Sequence, residues 1–194
     1  MNGADLVYRE LLYQAMEKKK KIQTQAELAK NLNISLSTVN GALRNLKNMG
    51  AIEVGPRNFH VTDTKKILLY WASTRNLHKD IVFMTRVEKP VLEIEKLMPD
   101  TIVFAAYTAY RLLFDDVPAD YSEVYVYGDE CLSTRFPKVL GPPNLFVLKK
   151  DALVGRYGGT TTIANTFVDL WNVPEWYAKE FVKAMEAALH GILE

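Results

Sequence analysis

The sequence contains little of the chemistry from which metal centres and many active sites are built. Its single cysteine, Cys131, excludes an intrachain disulfide and a metal site made from the chain's own cysteines. His78 and His190 lie far apart and lack metal-ligand spacing. No nucleophile elbow, phosphate-binding loop or GxGxxG fingerprint occurs. We therefore expect no metal and no other cofactor.

Long apolar runs are also missing, although apolar residues make up 48% of the chain. No run reaches the roughly 20 residues that cross a bilayer. The start of the chain, MNGADLVYRELLYQ, carries acids early and lacks the apolar centre of a secretory signal. The apolar content is nevertheless sufficient for a sizeable buried core. We expect a cytoplasmic protein that does not associate with membranes.

The net charge of +1 conceals an asymmetry between the two parts of the chain. Residues 1–79 hold 13 Lys and Arg against 6 Asp and Glu, a net charge of +7. Residues 80–194 hold 11 against 17, a net charge of −6. This division indicates two modules with different partners, and the basic module is the candidate for binding a polyanion.

Residues 1–63 predict three helices followed by a β-hairpin. Leucines at helical spacing in ADLVYRELLYQAMEKKKK predict a first helix whose last turn carries lysines. Thr24 and Glu27 form a capping-box pattern that starts a short second helix. After the turn NIS, Ser35 caps a third helix that ends at Gly50. The alternating runs AIEV and FHVTD flank the turn GPRN and predict the hairpin.

The third helix, residues 35–49, has two chemically different faces. Its spaced apolar residues form one stripe that we expect to be buried: Leu36, Val39, Leu43 and Leu46. The other face has no acid, whereas an ordinary solvated face mixes charges, and it carries Ser37, Asn40, Gly41, Arg44 and Lys47, with Thr38 at its margin. Asn reads adenine, Arg reads guanine, and hydroxyls bond to bases or phosphates. The pattern favours a recognition helix over a solvated helix.

With the short helix before it and the hairpin after it, this helix predicts a winged helix-turn-helix. The segment STVNGALRNLKNMGAIE resembles the winged-helix transcription factors over roughly residues 5–63. Double-stranded DNA is the implied partner. Arg57 at the wing tip is expected to enter a minor groove, to pair with a phosphate, or only to be solvated. The candidate DNA-binding residues are Thr24, Gln25, Ser35, Ser37, Thr38, Asn40, Arg44, Lys47, Arg57 and Asn58.

The rest of the chain predicts a helix over residues 64–79, capped by Asp63, that connects the halves, and then a mixed α/β domain over residues 80–194. The overall class is therefore α+β. Strands are predicted in IVFMTR, TIVFAAY, EVYVYG and NLFVLKK, and helices in KPVLEIEKLM, YTAYRLLF, TTIANTFVDLWNV and PEWYAKEFVKAMEAALHGIL. The last helix is expected to open at Pro174. Aromatic side chains in these runs are expected to be mostly core.

Several of these runs resemble the C-terminal domain of AbiEi-family proteins, namely LEIEKLMPDTIVFAAYTAYRLL, ADYSEVYVYGDE, NLFVLKKDAL and TTIANTFVDLWNVPEWYAKEFVKAM. The resemblance covers roughly residues 85–190, and the order of the two domains agrees. AbiEi proteins are winged-helix antitoxins and autoregulators of type IV toxin–antitoxin systems. The resemblance implies a cytoplasmic repressor, often paired with a nucleotidyltransferase-type toxin. It also implies a nucleotidyltransferase-like fold, which several members have in this domain.

Active transferases of that fold need a Gly-Ser turn and strand carboxylates that hold a metal. The comparable places here read FAAYTAY and EVYVYG, without Gly-Ser and with Glu123 as the only acid of the second stretch. We therefore expect no enzymatic activity and predict a sequence-specific, autoregulating DNA-binding antitoxin. Two alternatives stay open, a ligand-responsive winged-helix regulator and a nucleotidyltransferase-fold enzyme with a DNA-targeting arm. A homodimer is open as well.

Overall fold

The computed structural model describes residues 1–193, and the side chains of residues 1–191, as two compact units. Unit 1 comprises Met1–Arg75 together with the segment that begins at Glu186, and unit 2 comprises Asn76–Met185. The fold class is α+β, as predicted, with a winged helix-turn-helix in unit 1 and a mixed α/β arrangement in unit 2. Within the described residues, none of the helices has the length and apolar character needed to span a bilayer.

The helices of unit 1 begin at side-chain caps, and the sequence predicts those of the second, third and fourth helices. The helices are α1 (Gly3–Leu12), α2 (Gln25–Leu32), α3 (Leu36–Asn48) and α4 (Thr64–Thr74). Thr24 Oγ1 accepts from the Glu27 amide at 3.1 Å, and Ser35 Oγ accepts from the Thr38 amide at 3.0 Å. Asp63 accepts from the amide of Lys66 at 2.8 Å. Each cap satisfies an amide that the first helical turn leaves without a partner.

The basic run at residues 18–21 lies beyond the first helix, not in its last turn as predicted. Helix α1 ends at Leu12 and continues as the π-helical turn Tyr13–Glu17. Lys19 then adopts a left-handed backbone with φ of 56°, which stops the helix and turns the chain. The lysines therefore lead from the helix into a short strand.

The predicted hairpin forms, and it is joined by a strand that the sequence does not reveal. Strands β1 (Ile22–Gln23), β2 (Ile52–Val54) and β3 (Phe59–Val61) form an antiparallel sheet in the order β1-β3-β2. The amide of Gly55 donates to the carbonyl of Asn58 at 2.8 Å and closes the hairpin loop. The hairpin is the wing.

Helix α4 belongs to unit 1, although the sequence suggests a connecting helix over residues 64–79. Its apolar side packs inward, and Ile67, Leu68, Trp71 and Ala72 are buried. The indole nitrogen of Trp71 donates to Asp5 of α1. These contacts place α4 within the helical core, and the chain passes into unit 2 after Arg75.

Unit 2 is built on one four-stranded sheet whose order is not the order of the chain. The strands are β4 (Ile81–Thr85), β5 (Val103–Ala105), β6 (Val124–Gly128) and β7 (Leu145–Lys149), arranged β4-β7-β6-β5. Strands β6 and β7 are parallel, and the other two pairs are antiparallel. The helices are α5 (Val91–Lys96), α6 (Ala106–Phe114), α7 (Leu132–Arg135) and α8 (Ile163–Asn172), with 3-10 turns at Leu77–Asp80 and Val154–Tyr157. Helix α9 (Ala178–Leu193) begins in unit 2 and continues beyond Met185, where unit 2 ends.

The two faces of this sheet bury different side chains. Val124 and Val126 of β6 pack in an aliphatic cluster with Ile94 of α5 and Leu132 of α7. Tyr127, which alternates with the valines, bonds to Asp169 of α8 on the opposite face. The expectation that the aromatics are mostly core is confirmed for Tyr107, Tyr110, Tyr125 and Tyr127, whereas Trp171 and Trp176 are exposed.

The last helix starts at Ala178, so the predicted opening at Pro174 is wrong. Pro174 and Glu175 lie in the connection before the helix, and the Glu175 carboxylate accepts hydrogen bonds from the hydroxyls of Tyr107 and Tyr125. These contacts, made across long stretches of sequence, hold Glu175 outside the helix. The boundary between the two units falls within α9.

Candidate nucleic-acid interface

The turn between α2 and α3 is fixed by one residue with an unusual backbone. Asn33 has φ of 51°, a left-handed conformation that asparagine tolerates better than most residues. The amide of Ile34 then donates to the carbonyl of Ala29 at 3.1 Å, which closes the end of α2. Ser35 follows and caps α3 at once. The two helices are thereby joined in a tight helix-turn-helix.

The other end of α3 is closed by Gly50. This glycine has φ of +69°, and the amide of Ala51 donates to the carbonyl of Leu46 at 2.9 Å. The pattern is a Schellman motif, which satisfies carbonyls at the end of a helix and directs the chain into the next element. Here the next element is β2, so α3 leads into the wing through a short connection.

The buried stripe of α3 differs from the prediction at its first residue. Val39, Leu43 and Leu46 are buried as expected, and Ala42 joins them. Leu36, however, is 49% exposed, so its predicted burial is wrong. Leu36 lies beside the start of α2 and the wing tip. A gap remains between these two segments, so they do not cover the Leu36 side chain.

The opposite face of α3 presents four polar side chains to solvent, namely Ser37, Asn40, Arg44 and Lys47. Within the part of the chain that the structure describes, none of them makes a side-chain hydrogen bond or an ion pair. No acid occurs anywhere in the helix. Their donors and acceptors are therefore available to an external partner, and the positive charge of Arg44 and Lys47 is not neutralised within the helix.

Three other predicted residues use their hydroxyls inside the protein. Ser35 and Thr38 share a hydrogen bond of 2.8 Å between their hydroxyl oxygens, and Thr24 bonds to Glu27. Thr38 also faces α1, because a Cβ added at Gly3 would lie 2.6 Å from the Thr38 methyl group. Ser35 and Thr38 therefore serve first to build α3 and to seat it against α1.

The remaining predicted residues meet in one depression of about 250 Å³ between α2 and the wing tip. It is lined by Thr24, Gln25, Ala26, Leu36, Gly55, Pro56, Arg57 and Asn58. Residues that are some 30 positions apart in sequence, such as Gln25 and Arg57, thus share one surface with the start of α3. Leu36 is the lining residue that the sequence pattern misses, since its spacing matches the buried leucines.

In unit 2, several polar groups bond to one another. Tyr127 and Asn165 both donate to Asp169, at 3.0 and 2.9 Å, and Glu123 accepts from Tyr177. Among the described residues, no group of three or more His, Cys, Asp or Glu side chains is arranged to hold a metal ion. Two depressions of this unit, of about 360 and 490 Å³, are open to solvent.

Burial raises the pKa of the Tyr107 and Tyr125 hydroxyls far above the usual tyrosine value, and the negative charge of Glu175 raises it further. Both hydroxyls donate to the same carboxylate, at 3.0 and 2.8 Å. This arrangement keeps both tyrosine hydroxyls in their neutral, protonated form. The cluster therefore fixes the connection before α9.

Comparison with known proteins agrees with the geometry of unit 1. A family model described as winged helix-turn-helix DNA-binding matches residues 12–53, which run from the end of α1 through α2 and α3 into β2. No curated protein matches the chain. The match covers the helix-turn-helix and its exposed face. Unit 1 is a winged helix-turn-helix of the DNA-binding type, and the chain is a DNA-binding regulator.

Proposed function

We propose that the chain recognises specific sequences in double-stranded DNA and thereby represses transcription. The observation that carries this proposal is the exposed face of α3, where Asn40, Arg44 and Lys47 have no partner among the described residues and no acid beside them in the helix. In helix-turn-helix proteins such a helix lies in the major groove. Asn40 is suited to adenine and Arg44 to guanine, because each side chain can make a bidentate contact there.

The residues around the depression position the helix on the duplex. Gln25 at the start of α2 and Arg57 and Asn58 at the wing tip flank the N-terminal end of α3. Side chains at such positions contact phosphates, which fix the orientation of a protein on DNA and carry no sequence information themselves. Arg57 adds a positive charge at the point where a wing approaches the backbone or an adjacent minor groove.

The biological role that we propose is that of an autoregulating antitoxin of the AbiEi type in the cytoplasm. The resemblance of residues 85–190 to the AbiEi C-terminal domain supports it, as does the same order of domains. The partners would be the operator of the chain's own gene and a nucleotidyltransferase-type toxin. Unit 2 then acts as a regulatory or pairing unit without catalysis, because its sequence lacks the Gly-Ser turn of active transferases.

DNA binding is tested with the full chain by selecting sequences from a random duplex pool and measuring their affinity at several salt concentrations. Each phosphate contact contributes a slope of about −0.9 in a plot of log affinity against log salt. An Asn40→Ala, Arg44→Ala double variant should lose the preference for the selected sequence. Lys89→Ala, which changes an exposed ion pair in unit 2, is the matched control. Absence of salt-dependent binding by the native chain would refute the proposal.

The antitoxin role has a separate test. The chain is co-expressed with a nucleotidyltransferase-type toxin, sought first among the genes next to its own, and growth is compared with that of cells expressing the toxin alone. Rescue of growth is expected. Incubation of the chain with labelled nucleotides, Mg²⁺ and candidate acceptors should give no label transfer, and transfer would overturn the non-catalytic assignment of unit 2.

A further inference from the structure

Leu36 is exposed in a helix whose other large aliphatic residues, Val39, Leu43 and Leu46, are buried. It is the first residue of α3 and lies between Ser35 and Ser37. In helix-turn-helix proteins the N-terminal residues of the recognition helix are the ones that contact base edges. An apolar side chain at this position thus lies where base contacts are made.

The surroundings of Leu36 fit a nucleic acid. The depression that it lines also contains Gln25, Arg57 and Asn58, and none of its described lining residues is an acid. Residues 1–79 carry a net charge of +7, and α3 itself contains no acid. The charge complements a polyanion, so the occupant of this surface is double-stranded DNA.

The major groove offers one apolar feature to such a side chain. It is the methyl group at C5 of a pyrimidine, present in thymine and in 5-methylcytosine, whereas the other groups on the base edges there are donors and acceptors. A leucine can satisfy no donor or acceptor, but it can bury a methyl group.

We propose that Leu36 reads the C5 methyl group of a pyrimidine in the major groove. The inference rests on the proposed DNA-binding function and adds a specificity-determining residue to it. Polar residues of α3 read hydrogen-bonding groups, and Leu36 reads the one apolar group that unmethylated cytosine and uracil lack. Leu36 thereby adds an apolar contact to the hydrogen bonds by which the polar residues of α3 distinguish base pairs.

The test uses the full chain and a duplex selected by it. Each thymine is replaced in turn by deoxyuridine, which removes only the methyl group, and in a second series each cytosine is replaced by 5-methylcytosine. For the native chain, one thymine position per site should lose affinity about fourfold on replacement, the scale of one buried methyl group. A gain at a cytosine position instead would show that methylated DNA supplies the methyl group. Either result supports the proposal if Leu36 is responsible.

Two variants test whether Leu36 causes the change in affinity that follows removal or addition of the methyl group. In Leu36→Ala this methyl effect should fall below twofold, and Leu36→Met should keep it. Leu92→Ala, at a leucine of α5 with 55% exposure, is the matched control and should also keep the effect. Circular dichroism checks that each variant folds. Equal methyl effects in the native chain and Leu36→Ala, including no effect in either, would overturn the inference while leaving DNA binding intact. Failure of the native chain to bind any duplex would instead refute the proposed function.

Discussion

The indole nitrogen of Trp71 donates a buried hydrogen bond of 3.0 Å to Oδ1 of Asp5, which lies 66 residues earlier in the chain. The other carboxylate oxygen of Asp5 accepts from the amide of Asn2 at 2.9 Å and lies 4.0 Å from the Arg75 guanidinium. One carboxylate therefore caps α1, ties it to α4 and contacts a cation at the end of α4. The core of the DNA-binding unit depends on this charged group being fully satisfied.

Replacing Trp71 by Phe should destabilise unit 1 by about 2 kcal/mol, because a buried carboxylate loses a hydrogen-bond donor. The free energy of unfolding is measured by urea denaturation of the full chain, followed by circular dichroism. The control is Trp176→Phe, at a tryptophan that is 75% exposed, and it should change stability by less than about 0.5 kcal/mol. Equal effects of the two substitutions would contradict the role given to the Asp5 contact.

Arg44→Ala should reduce discrimination between the selected sequence and variants of it by about 1–3 kcal/mol at one base pair, since a bidentate contact to a base is lost. Lys20→Ala, in the exposed run after α1, should weaken binding to all sequences alike and lower the salt slope by about one unit. Competition binding against a panel of single-base variants measures both. The assignment fails if Arg44→Ala leaves the order of preference unchanged.

Gly41→Ala should make the protein more stable and a poorer DNA binder. A Cβ at Gly41 meets no atom within 4 Å, so alanine should gain about 0.5–1 kcal/mol of helix stability. Gly41 lies in the middle of the polar face, however, where the added methyl group would hold the duplex away. We expect roughly a tenfold loss of affinity, the scale of one lost base contact.

The control is Gly50→Ala, the same substitution at a glycine of the opposite kind. Gly50 has a left-handed φ of +69°, which strains any residue with a side chain. It should lose about 1 kcal/mol of stability. Unchanged affinity of Gly41→Ala for DNA would show that the duplex does not approach this part of α3. Thermal melts and mobility-shift titrations of the two variants, made side by side, separate folding from binding.

Stability should fall as the pH rises above about 10, the ordinary pKa of tyrosine. Burial and the charge of Glu175 raise the pKa of Tyr107 and Tyr125, so the folded chain holds these protons more tightly than the unfolded chain. The contribution is complete below the unfolded pKa and is lost above it. Glu175→Gln, which removes the charge, should make this fall shallower in denaturation midpoints measured from pH 8 to 11. Identical slopes would rule out the cluster as the source.

The features that the sequence predicts are those decided by near neighbours. Thr24, Ser35 and Asp63 cap their helices because each needs only an amide three residues away. The hairpin forms around a four-residue turn for the same reason. The polar face of α3 also follows from helical periodicity, so the surface positions of Asn40 and Arg44 are foreseeable without the structure.

The features that the sequence misses are decided by distant contacts. Leu36 has the spacing of a buried residue, and only the gap between α2 and the wing leaves it exposed. Pro174 is suited to open a helix, but the bonds of Glu175 to Tyr107 and Tyr125 keep the connection irregular. Strand β1 has only two residues and forms because β3 offers an edge. The order β4-β7-β6-β5 depends on packing of the whole unit.

The composition of unit 1 has a consequence for synthesis on the ribosome. The unit takes its helix-turn-helix from the start of the chain and a further segment, with the buried Leu189, from beyond Glu186. Translation proceeds from the N-terminus, and domains that are continuous in sequence can fold as they emerge. In unit 1, by contrast, the segment that begins at Glu186 is made only after all of unit 2. A nascent chain that already carries α3 therefore still lacks one segment of the unit to which α3 belongs.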